Sequence, residues 1–66
     1  MVTIETIKGY LADIEKLKHD PEAAHSLEDD VREAVLMHIA NGAENPKELA
    51  QEVLKSWDID FLRWCA

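Results

Sequence analysis

One cysteine, two glycines and two prolines are all that this 66-residue chain holds of the residues that staple or punctuate a fold. With Cys65 alone, no internal disulfide can form, which excludes a disulfide scaffold. So few glycines and prolines do not suit an all-β chain, which needs a turn about every 8–12 residues. The longest uncharged run, Ala34 to Ala43, is ten residues. A bilayer crossing takes about 20. Met1-Val2-Thr3-Ile4-Glu5 carries neither a basic nor an apolar leader, so no signal peptide is expected. A lone thiol in such a chain points to a reducing compartment, and the expectation is a cytoplasmic protein without a membrane.

Length excludes more. Sixty-six residues make one small domain with a thin stability margin, too small for a multi-domain enzyme. Basic residues are also scarce, seven against fourteen acidic ones, which gives a net charge of −7. Such a field repels phosphate backbones and draws basic partners, so direct nucleic-acid binding is not expected. Between Asp20 and Asp30 the chain holds five acids and no Lys or Arg. Glu28, Asp29 and Asp30 form a candidate acidic docking patch, set against the plainer reading of a solvated helix start.

What is present reads as helix. Ile4, Ile7, Leu11 and Ile14, with Tyr10 and Leu17 beside them, recur at helical spacing over about residues 3–18. Thr3 is the expected N-cap, and Asp20-Pro21 stops the helix. Asp20-Pro21-Glu22 can itself open a short helical turn. A second helix over 26–41 is expected from Ser26, a capping Ser with Asp29 three residues on, and Asn41-Gly42 ends it. Leu27, Val31, Ala34, Val35, His38 and Ile39 share one face of it, while Leu36 and Met37 point elsewhere. Asn45-Pro46-Lys47-Glu48 opens a third helix, over 46–56. Beyond Trp57 the pattern forks between continuation and a short fourth helix over 58–65 capped by Ser56 or Asp58. The break is preferred, because continuation leaves Ile59 and Leu62 off the apolar stripe. The fold class expected is an all-α bundle of three helices with a possible short fourth.

The chemistry-bearing residues do not assemble in sequence. His19, His25, His38 and Cys65 show no metal-ligand spacing. Ser26 and Ser56 sit in cap-like positions rather than beside a base, and no Gly-rich loop is present to cradle a phosphate. No catalytic residue, metal or cofactor is expected.

The run from His38 through Gly42 to Pro46-Lys47-Glu48-Leu49-Ala50-Gln51-Glu52 resembles the DNA-binding unit of bacterial winged-helix regulators. There a helix ends at Gly and a second begins Pro-x-Glu-Leu-Ala-x-Glu. The resemblance implies a recognition helix downstream, running past Ser56 to Arg63. The chain departs from that pattern where Leu54 replaces the turn glycine and Asp60 stands at a branched apolar position. Asp58 and Asp60 also occupy a helix that needs Arg, Lys, Asn or Gln toward bases.

Trp57, Phe61 and Trp64 crowd both tryptophans and the only phenylalanine into eight residues, with Leu62 among them. They are expected either to fold back as core or to form a partner surface of Trp57, Phe61, Leu62 and Trp64. The function expected is a small acidic, non-enzymatic interaction or regulatory accessory module with a protein partner. A degenerate helix-turn-helix regulator and an acidic nucleic-acid mimic are the alternatives. A two-fold homodimer is expected as well, since Leu36, Met37 and Leu62 need cover.

Overall fold

The computed structural model describes residues 2–63. Its order is α1 (Ile4–Lys16), α2 (Pro21–Ala40), α3 (Pro46–Leu54) and a 3-10 turn, Lys55–Asp58. No strand occurs among the described residues. The three helices pack mutually. The long dimension, 35 Å, is close to the roughly 30 Å that the 20-residue α2 spans alone.

Local signals explain the helix ends. The Thr3 hydroxyl oxygen accepts from the Thr6 amide at 3.1 Å and starts α1. The Asp20 carboxylate accepts from the Ala23 amide at 3.3 Å, with Pro21 in the first turn. α2 ends on a glycine that no other residue would replace without strain. Gly42 has φ +91°, its amide donates to the Ile39 carbonyl at 3.0 Å, and the Ala43 amide reaches the His38 carbonyl at 3.2 Å. These are the two bonds of a left-handed helix stop. Asn45 and Pro46 start α3 as expected, although the Asn45 side chain makes no capping bond.

α1 and α3 end two residues earlier than expected, at Lys16 and Leu54, and two boundaries differ by more. α2 begins at Pro21 rather than Ser26, and Ser26 is an exposed mid-helix residue. Nothing between Pro21 and Leu27 breaks a helix, and Ala23 and Ala24 favour one, so the first start signal prevails. Residues 59–63 carry no helix; the chain leaves the 3-10 turn into irregular, partly extended backbone. The rest of the expected fourth helix lies outside the described residues.

The core draws on every element. Ile7 and Ile14 come from α1, Ala24, Val31 and Val35 from α2, Leu49 and Val53 from α3. Ile59 and Phe61, from the irregular tail, complete it. Three buried residues among those described are not apolar: Glu28 and Ser56 are fully buried, and Glu52 nearly so.

Candidate functional site

Two features stand out above the core: a charged cluster and an apolar groove. Both flank Arg32.

The cluster begins with Glu28. It lies four residues after Ala24 and three before Val31, on the arc that α2 turns inward. Its carboxylate has no access to water and needs partners there. Arg63 supplies a two-pronged bond: Nε donates to Oε1 at 3.1 Å and Nη2 to Oε2 at 3.1 Å. Arg32, one turn along α2, brings Nη2 to 3.2 Å from the same Oε2. Arg63 Nη2 also donates to the Ser56 and Ile59 carbonyls at 2.8 and 2.9 Å. Ser56 belongs to the 3-10 turn, where its carbonyl also accepts from the Ile59 amide at 3.1 Å, and Ile59 belongs to the irregular segment that follows. Arg32 Nη2 donates to the buried Ser56 hydroxyl at 2.8 Å, while its own Nε is buried without a partner.

Aromatic rings close the cluster. The Arg32 guanidinium lies 4.2 Å from the Trp57 ring centre, and the Arg63 guanidinium 4.0 Å from that of Phe61. Two guanidinium groups against one carboxylate leave excess positive charge, and a ring face over each offsets part of it. The cluster is a clasp that fixes the tail to α2. Apart from Arg32 Nε, its buried polar groups are spent on one another.

The groove lies between α2 and α3. It encloses about 190 Å³ and is lined by Arg32, Val35, Leu36 and Ile39 from α2 and by Ala50, Val53 and Leu54 from α3. Leu36 is 66% exposed, Leu54 55% and Trp57 56%. Leu36 and Leu54 form its banks, and Trp57 stands at the Arg32 end. A wider hollow of about 500 Å³ sits where the start of α1 meets the α2–α3 turn, with Glu5, His38 and Glu44 at its edge. No group of three His, Cys, Asp or Glu among the described residues is placed to hold a metal ion.

The predicted site residues separate. Of the aromatic set, Phe61 is core, Trp57 and Leu62 are exposed, and Trp64 lies outside the described residues, as does Cys65. Residues 59–63 carry no helix, so Trp57 and Phe61 do not share a helical face. Of the acidic patch, Asp29 and Asp30 are exposed, with His25 Nε2 3.7 Å from Asp29 Oδ1. Glu28 is not part of that surface, because the helix turns it inward to the two arginines. An acid amid the 4-3-4 spacing of Ala24, Glu28, Val31 and Val35 was the signal for this. The capping reading of Ser26 concealed it. Ser56 is buried under Arg32 and caps nothing. Where the winged-helix resemblance implies a recognition helix, residues 55–63 form a 3-10 turn and irregular backbone.

Comparison with protein-family models, with curated proteins and with solved structures finds no match for the chain.

Proposed function

We propose that this protein is a non-enzymatic interaction module, regulatory or accessory in role, that works through its helical surface in the cytoplasm. One observation carries the reading. A domain short of core material leaves Leu36 and Leu54 outside along one groove, with exposed Trp57 stacked on Arg32 at its end. Single exposed apolar side chains are ordinary, whereas a grouped set flanking a groove marks a contact surface. No helix among the described residues is long and apolar enough to cross a membrane.

The experiment is affinity capture with the tagged full chain and mass spectrometry, run beside a Leu36→Ser/Leu54→Ser variant. A partner retained by the native chain is the expected result; no retained protein overturns the reading. The DNA-binding alternative is met by titrating the chain into random-sequence duplex at low salt. Our reading expects no association, and strongly salt-dependent binding contradicts it.

A further inference from the structure

We infer that the α2–α3 groove receives a short amphipathic helix with basic flanking residues, an inference that rests on the interaction reading above. The first argument is size. Arg32 to Ile39 on one bank spans two helical turns, about 10 Å, which matches partner anchors at i, i+3 or i+4, and i+7. Leu36 and Leu54, two half-exposed leucines on the banks, are far fewer than the roughly 20–30 residues that each side of a standard stable interface contributes. That is little for a lasting dimer and ample for a peptide-like segment.

The second argument is charge. Asp29 and Glu33 precede Leu36 by seven and three residues, so helical geometry sets them along the same outer edge of α2. Both are exposed, and exposed Asp58 closes the turn that carries Trp57. Asp29 and Glu33 flank Arg32 along α2, and Asp58 follows Trp57, whose ring lies against Arg32. Arg32 itself is committed to Glu28 and Ser56. Exposed Lys55, next to Leu54 at this end, is paired with Glu52 at 2.9 Å, and exposed Lys47 lies at the opposite end, at the start of α3. A partner's basic residues therefore meet the Asp29–Glu33–Asp58 end. A second copy of this chain would instead bring another net charge of −7 to that rim.

The test uses the full chain and three synthetic peptides, followed by amide chemical-shift mapping. A Leu/Lys amphipathic helix is expected to bind saturably, with shifts centred on 32–39 and 50–58. A Leu/Glu helix of the same pattern should bind at least tenfold more weakly, and a scrambled Leu/Lys peptide without an apolar face should not map to the groove. Leu36→Ser/Leu54→Ser should weaken binding tenfold or more with the helical dichroism unchanged. Asp29→Asn/Glu33→Gln should weaken it at low salt and much less at high salt. Equal binding of the scrambled peptide at the groove, or of the Leu/Glu helix, overturns the inference. So does a dimer in sedimentation equilibrium that Leu36→Ser dissolves, since the occupant is then a second copy. If cellular capture survives the double variant, this groove fails while the interaction reading stands. If the native chain captures nothing, the broader reading fails with it.

Discussion

α1 and the tail 59–63 both contribute to one apolar core, yet they are held by different means. α1 satisfies its backbone groups within its own ladder, so Ile7 and Ile14 need only apolar neighbours to hold it in place. The tail has no ladder. Ile59 and Phe61 are buried, while the carbonyls of Ser56 and Ile59 turn to the guanidinium of Arg63. That guanidinium must in turn be balanced, and Glu28 balances it from inside α2. Irregular backbone brought against a core carries a polar debt that regular helix does not. Here one arginine and one buried acid settle it.

Removing the acid should break the comparison most sharply. Glu28→Ala leaves two guanidinium groups facing each other with no counter-charge, and breaking such a buried pair costs about 3–5 kcal/mol. A domain of this length holds roughly 3–10 kcal/mol in total. Urea titration followed by circular dichroism should therefore show a chain largely or wholly unfolded. A loss below about 1 kcal/mol would mean that the clasp is ornamental.

Ile14→Ala should come next, at about 3 kcal/mol, because it leaves a cavity at a fully buried site. The same urea titration at low and high salt tells the two regions apart. The Ile14 effect should hardly change with salt, and a strongly salt-dependent loss would contradict an apolar attachment of α1.

Arg63→Lys keeps the charge and removes the fork, so it should cost about 2 kcal/mol. The loss should be local. Hydrogen exchange is expected to speed up in 59–63 and remain at the global rate in α1 and α2. Uniform acceleration would show that the tail and the helices open as one unit.

The smallest effect is expected at Lys18. Its Nζ lies 2.9 Å from Glu15 Oε1, and this hydrogen bond, with the carboxylate's charge, raises the lysine pKa above its ordinary 10.5. A raised pKa stabilises the fold below the ordinary value and is lost as pH climbs through the folded one. The group is fully exposed, so solvent screens the pair. Lys18→Met should leave the thermal midpoint at neutral pH unchanged, and a clear drop in differential scanning calorimetry would show a role that the geometry does not contain.

The groove was legible in fragments. Leu36 and Met37 stood off the apolar face of α2 in sequence, and both are exposed. Only Leu36 meets the groove, because the next residue turns about 100° further round the helix. Trp57 and Phe61 are expected as one aromatic set from their closeness in sequence. The 3-10 turn separates them, one ring outside and one inside.

The sequence by itself determined the class and most of the helix ends. Thr3, Asp20-Pro21, Asn41-Gly42 and Pro46 act within a single turn, through a capping oxygen, a missing amide or a positive φ. Such signals are complete in a few neighbouring residues. Tertiary structure alone decided where α3 stops and what becomes of Glu28. No glycine or proline lies after Pro46 to end α3. It ends where the Ser56 hydroxyl meets Arg32 and the Ser56 carbonyl meets Arg63. Glu28 and Arg63 are 35 residues apart. A carboxylate tolerates a dry interior only when its counter-charge arrives with it, and that pairing exists only once the chain has folded back.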